Sequence, residues 1–161
     1  MEYLYDKQVE PGEFIEIAEG VLWLTMPLPF DLDHINLYLL KGEGGWVVLD
    51  TGIGTATTKS LWLRIFEQLN APIVGVIVTH LHPDHVGLAG WIADMYNVPF
   101  YMTQTEYFTA RAFAAPETKR DWTSLLSCGA SRFSRCVAWL GEVLVYPAFL
   151  AAAVASKPSS T

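Results

Sequence analysis

Three of the chain's four histidines fall within six consecutive residues, His80-Leu81-His82-Pro83-Asp84-His85, directly after the apolar run Val76-Ile77-Val78-Thr79. Imidazole nitrogens and a carboxylate suit zinc, or iron and manganese when more oxygen donors join, and crowding such groups is costly unless a cation sits between them. Pro83 forbids a regular helix through the segment and pushes His82 towards extended geometry. In an extended stretch His80 and His82 point the same way and can share one metal. Asp84 and His85 lie past the bend, ahead of a helix beginning near Gly87, and can face a second metal from the other side. The spacing therefore suggests two metals, roughly 3.5 to 4 Å apart as in dinuclear hydrolytic sites. A chance polar loop and a metal that merely stiffens the fold are the plainer readings. Structural zinc favours closed cysteine-rich sets, and this region has no cysteine.

Strands must deliver these residues. Phe14 to Ala18 and Val21 to Met26 are β-type runs separated by Glu19-Gly20, a hairpin turn. Ile35 to Leu40 reads as a third strand and Trp46 to Leu49 as a fourth, ending at Asp50, which makes a small β-meander. Thr55 to Asn70 carries Leu61, Ile65 and Leu69 at helical spacing. Ile73 to Val78 is the apolar, mostly β-branched run of a strand covered on both faces, and the histidine cluster begins at its end. Gly87 to Tyr96 is a further helix, Val98 to Met102 a strand, and Thr103 to about Ala114 a helix with Thr103 as N-cap. A meander followed by repeating β and α units is an α/β domain with its active residues at strand ends.

At 161 residues and 52% apolar composition the chain has ample material for one packed core. A net charge of -7 with no basic cluster argues against a nucleic-acid partner. Cys128 and Cys136 fit neither a disulfide framework nor a metal knuckle, and MEYLYDKQVEPGEF lacks the apolar core of a signal peptide, so a cytoplasmic location is expected. Beyond residue 120 the text changes: residues 1–120 hold one serine and 22 charged residues, residues 121–161 hold seven serines and five charged residues. The division is thus 1–120 for the domain and 121–161 for an atypical apolar tail rich in Ser, Ala and Cys. Cys136 to Ala155 reads as a buried or partly ordered apolar helical tail. A membrane span is the less favoured reading, since Glu142 and Pro147 raise the cost of insertion, and a shifted reading frame is a third.

With the cluster and Val48-Leu49-Asp50-Thr51-Gly52 in view, the chain resembles the metallo-β-lactamase superfamily of metal-dependent hydrolases. His80, His82, Asp84 and His85 fit its HxHxDH motif, and the match covers about residues 14 to 115. The stretch His34-Ile35-Asn36-Leu37-Tyr38-Leu39-Leu40 is similar to the branch of glyoxalase II-like thioester hydrolases. The resemblance implies an αββα sandwich of two similar halves, with only the first half recognisable here, and a site of two zinc ions, with iron or manganese as alternatives. It implies that His80 and His82 hold the first metal and Asp84 and His85 the second. A metal-activated hydroxide, oriented by Asp84 as the catalytic residue, would attack an ester, thioester or amide-like carbonyl of a small-molecule substrate. The family closes its coordination with later histidines and a bridging aspartate. This sequence has no histidine after His85, and neither Asp121, Cys128, Cys136 nor Glu142 has spacing that marks it as a ligand. A catalytically defective fragment that binds metal weakly or not at all is therefore the alternative to a working hydrolase, and exposed sheet surface would then favour self-association.

Asp50 has two readings, a carboxylate that orients a ligating imidazole or a cap on the Thr51-Gly52 turn, and the resemblance favours the first. His34 reads as a loop histidine packed beside its strand, more readily than as a surrogate ligand. Pro27 to Phe30 is either an apolar lip for substrate or an ordinary loop. Gly52-Ile53-Gly54 fails the GxGxxG fingerprint, which excludes a dinucleotide site. Trp62, Phe66 and Trp91 lie on helices at core-like spacing and read as packing residues.

Overall fold

A computed structural model describes residues 9–113 and two short strands at 138–140 and 143–145. Strands β1 (Phe14–Ala18), β2 (Val21–Pro27), β3 (His34–Gly42) and β4 (Gly45–Leu49) form the expected antiparallel meander. Helix α1 (Ala56–Gln68) then returns the chain to β5 (Ile73–Ile77), parallel to β4. Two helices follow, α2 (Pro83–Val86) and α3 (Ala89–Tyr96), before β6 (Phe100–Thr103), parallel to β5, and α4 (Gln104–Phe113). The mixed sheet has the order β1-β2-β3-β4-β5-β6, continued past β6 by β8 (Val143–Val145) and then β7 (Ala138–Leu140).

The core lies on one face of this sheet. Leu22, Leu24 and Met26 of β2 stand opposite Leu39, Leu37 and Ile35 of β3, and the row runs on through Val48 of β4 and Val76 of β5 to Phe100 of β6. Trp62 and Ile65 of α1 and Ile92 and Ala93 of α3 are buried against it. Trp62 stacks on Phe66, with ring centroids 5.1 Å apart, so the aromatic residues of α1 pack as expected. Parallel strands need such crossovers, and burying one stripe of each helix supplies the driving force. The opposite face, Trp23, Tyr38, Leu40, Val47, Leu49, Ile77 and Tyr101, is half-buried. The expectation that β5 is covered on both faces is corrected accordingly: Ile73 and Val76 are buried, but Val74 and Ile77 are only half-buried. One mixed sheet and its helices match the first half of the expected αββα sandwich, and the expectation for a second half falls outside the described residues.

Two further expectations change. The helix expected from Gly87 to Tyr96 is α3, but a further short helix, α2, precedes it and opens at Pro83, because proline at the first helical position forfeits only an N–H that has no partner there. The apolar helical tail is replaced, where the structure describes it, by β7 and β8, whose β-branched Val143 and Val145 suit the free edge of β6. The remainder of 121–161, with Asp121, Cys128 and Cys136, lies outside the described residues, as does Glu142. No described helix is long and apolar enough to cross a membrane.

Candidate metal centre

β4 and β5 run parallel, so Asp50 and Thr79 emerge side by side at the same edge of the sheet. Asp50 is buried, 6% exposed, and takes the left-handed conformation with φ 58°. That backbone costs energy in a non-glycine residue and persists only where its surroundings enforce it. Here the Asp50 N–H donates to the Ile77 carbonyl at 2.8 Å, and the carboxylate turns onto the next loop. Its Oδ1 accepts the Thr79 N–H and its Oδ2 the Thr79 hydroxyl, both at 2.8 Å, and Oδ2 also lies 2.8 Å from His85 Nδ1.

The loop itself is short and pinned. His82 is extended, φ -61° and ψ 143°, as the following proline demands, and its carbonyl accepts the N–H groups of His85 and Val86. From the other side, the Thr51 N–H and hydroxyl both donate to the His85 carbonyl, at 2.8 and 2.7 Å, while Thr51 Oγ1 accepts the Leu88 N–H. Trp62 Nε1 donates to the Thr51 carbonyl at 2.7 Å, tying the assembly to α1. Gly87 allows the close approach: a Cβ there would stand 2.4 Å from the Pro83 carbonyl oxygen and 2.7 Å from that of Gly52. The Gly52-Ile53-Gly54 loop that fails as a dinucleotide fingerprint thus serves as the seat of α2.

The donors gather in two pairs. His80 Nε2 lies 3.0 Å from His82 Nδ1, and His85 Nε2 lies 3.6 Å from Asp84 Oδ2. The rings of His80 and His85 are 3.9 Å apart between centroids, so the pairs adjoin. Among the described residues no three His, Cys, Asp or Glu side chains converge on one point. Each pair nonetheless fits a metal: two donors about 2.0–2.1 Å from a tetrahedral ion stand about 3.3 Å apart, between the two observed spacings. Each pair supplies two of the three or four protein donors that such an ion takes.

The protons are arranged to suit. The Thr79 hydroxyl has one proton, which goes to Asp50, so at 2.9 Å it can only accept from His80 Nδ1, and His80 Nε2 then carries a lone pair, which accepts from His82 Nδ1 at 3.0 Å. His85 Nδ1 faces the Asp50 carboxylate, so His85 Nε2 is likewise free to act as a donor atom. Burial pushes the His80 imidazole below its ordinary pKa, aided by the charges of His85 and His82 and opposed by those of Asp50 and Glu106, and this favours the neutral, ligating form. Burial alone would push the Asp50 carboxyl up, but hydrogen bonds from His85 and from the Thr79 N–H and hydroxyl outweigh it and hold the group below the ordinary carboxylate value. Asp50 is therefore the anchor of the loop, and orients His85 directly and His80 through Thr79.

The structure brings together His80, His82, Asp84, His85 and Asp50. It does not bring in His34, whose Nδ1 instead contacts the Asp33 carboxylate at the start of β3. Pro27 to Phe30 leave β2 at the same sheet edge as Asp50, since β2 and β4 are both antiparallel to β3, and Phe30 is 58% exposed. Thr79, Thr51 and Glu106 escape the sequence reading, the last accepting the Leu81 N–H at 2.8 Å. The position of Thr79 directly before the cluster was the one available signal; Glu106, far downstream on α4, had none.

The family model of the metallo-beta-lactamase superfamily matches residues 30–128. The crystal structure of a beta-lactamase domain protein from Burkholderia ambifaria is 34% identical with TM-score 0.68, covering 84% of this chain and 48% of that one. A probable metallo-hydrolase of Bacillus subtilis is 29% identical over 115 residues, 68% of this chain and 35% of its own. The hydroxyacylglutathione hydrolase of Shewanella halifaxensis is 31% identical over 83 residues, 50% of this chain and 30% of its own. The chain thus spans about half of the solved structure and about a third of these two curated relatives.

Proposed function

This chain belongs to the metallo-β-lactamase superfamily, whose members are typically metal-dependent, and on that footing we propose that its His80–His85 loop is one side of a hydrolase centre acting on an ester, thioester or amide-like carbonyl. The observation that carries this reading is the pairing of donor-type atoms, His80 Nε2 beside His82 Nδ1 and His85 Nε2 beside Asp84 Oδ2, with the tautomers of His80 and His85 set by Thr79 and Asp50. Zinc is the ion we assign, with iron or manganese as alternatives. When bound, such ions supply Lewis acidity, lowering the pKa of water they hold towards about 7 and polarising a carbonyl. His80 and His82 hold one ion and Asp84 and His85 the other. Asp84 also orients the attacking water, while Asp50 and Thr79 keep the imidazole protons on the Nδ1 side of His85 and His80.

A thioester is the favoured substrate class, supported by the likeness to a hydroxyacylglutathione hydrolase, since an acylglutathione is a thioester. Pro27 to Phe30, with Phe30 exposed at the same sheet edge, serves as an apolar lip for the acyl or thiol portion. The second reading, a catalytically defective fragment, is favoured by one observation: two donors per ion, with no histidine after His85. Metal analysis and turnover of a model thioester separate the two. The hydrolase reading expects close to two equivalents of metal and a rate that falls to the uncatalysed background in Asp84→Ala. One equivalent or less, with both rates at background, supports the fragment.

A further inference from the structure

Glu106 sits on α4, far from the histidine cluster in sequence, yet its Oε2 accepts the N–H of Leu81 at 2.8 Å. Leu81 is the single residue between His80 and His82, so this bond fixes the peptide that sets the separation of the two imidazole donors. The local sequence gives Glu106 a different task. Thr103 caps α4, its hydroxyl accepting the Glu106 N–H at 3.4 Å, and a glutamate three residues after such a cap ordinarily folds back onto the cap's own N–H. Here one carboxylate oxygen reaches across to Leu81 instead. The helix that carries it is held in place by Tyr107 and Ala110, 8% and 5% exposed, and the Leu81 side chain packs at the margin of the core.

The other ends of the loop already have anchors. Thr79 is tied to Asp50 by two hydrogen bonds, and the His82 carbonyl is held by the N–H groups of His85 and Val86. Between them lie His80, whose Nδ1 is 2.9 Å from the Thr79 hydroxyl, and Leu81, whose N–H would otherwise be directed by nothing but the chain. We infer that Glu106 is a positioning residue for the paired donors of His80 and His82, holding them at metal-binding separation through the Leu81 peptide. This rests on the reading of the loop as a metal centre. A carboxylate acceptor makes a stronger bond to a backbone N–H than a neutral one, and outer partners of metal ligands affect affinity through such orientation.

The test uses the full chain with three substitutions, Glu106→Ala, Glu106→Asp and Glu106→Gln, and reads zinc affinity by competition with a chromophoric chelator alongside the thermal midpoint of the metal-free protein. Glu106→Ala removes the acceptor and Glu106→Asp withdraws it by one methylene while keeping the charge, so both should weaken zinc binding by about tenfold to a hundredfold. Glu106→Gln keeps an oxygen at full reach and should stay within a few-fold of the parent, with metal-free midpoints little changed across the set. If Glu106→Ala fails to fold, Glu106→Asp against Glu106→Gln decides. Parent-like affinity in the alanine and aspartate variants, or an equal loss in glutamine, overturns the inference while leaving the metal centre standing. A parent chain that binds no zinc overturns both.

Discussion

Replacing Asp50 with asparagine changes one oxygen for an amide nitrogen and leaves the volume almost unaltered, so it isolates the hydrogen bonding of the buried carboxylate. Three donors converge on the two oxygens, the Thr79 N–H, the Thr79 hydroxyl and His85 Nδ1, each at 2.8 Å. Asparagine offers one accepting oxygen and a group that is itself a donor. If the amide oxygen faces Thr79 Oγ1 and His85, the Thr79 N–H meets a donor; if it faces the Thr79 N–H, then His85 must accept at Nδ1 and carry its proton on Nε2, the atom needed for a metal. One donor left without a partner costs about 1–3 kcal/mol, and two bonds reduced from charged to neutral about 1 kcal/mol each, with the lower end apt because Thr79 is exposed. The total is about 3 kcal/mol, a fall of roughly 6–12 °C in the thermal midpoint for a chain of this size. Zinc affinity should drop about tenfold to a hundredfold. Thermal unfolding of the metal-free protein and a chelator competition read the two effects separately. An Asp50→Asn variant within 2 °C of the parent, in Tm, on roughly the scale just given and with unchanged affinity would refute the assignment of Asp50 as the anchor of the loop.

The Asp50 carboxyl is held below its ordinary value of 3.8 in the folded chain, so its contribution to stability is present above that pH and is lost as pH falls through the lower folded value. Acid titration of metal-free stability should therefore fall more steeply below about pH 4 in the parent than in Asp50→Asn, and equal slopes would contradict the linkage. Gly87→Ala drives a Cβ to 2.4 Å from the Pro83 carbonyl oxygen and 2.7 Å from that of Gly52. Overpacking against backbone should cost about 1–3 kcal/mol or more in chemical denaturation and should lower metal affinity too, because α2 carries Asp84 and His85. A parent-like variant would mean that α2 is not seated on the Gly52 loop. The half-buried apolar face bearing Trp23, Tyr38, Leu40 and Leu49 predicts concentration-dependent association in light scattering, and a monodisperse monomer at all concentrations would count against it.

The elements that position the centre were legible where the chain follows a simple period. The β1–β2 hairpin turns at Glu19-Gly20, the apolar spacing of Leu61, Ile65 and Leu69 marks α1, and Thr103 caps α4 as its side chain suggests. The histidine cluster was legible because it is local in sequence, and HxHxDH needs no long-range information. The partners of the cluster were not. Asp50 to His85 spans 35 residues and Leu81 to Glu106 spans 25, and no sequence period records a hydrogen bond across such separations. Pro83 carried two opposed rules, breaker of a helix interior and favoured opener of a new helix, and only packing against the Gly52 loop decides for the second. At 138–145 an apolar run satisfies a buried helix or a strand equally well, and pairing with β6 selects the strand.

If His80, His82, Asp84 and His85 are metal donors, the chain should keep metal through zinc loading and desalting, as read by elemental mass spectrometry. The parent should retain zinc, His82→Ala should lose the ion shared with His80, and His85→Ala the ion shared with Asp84. Retention in the parent that is no greater than in a variant with all four residues changed to alanine would rule these side chains out as metal donors.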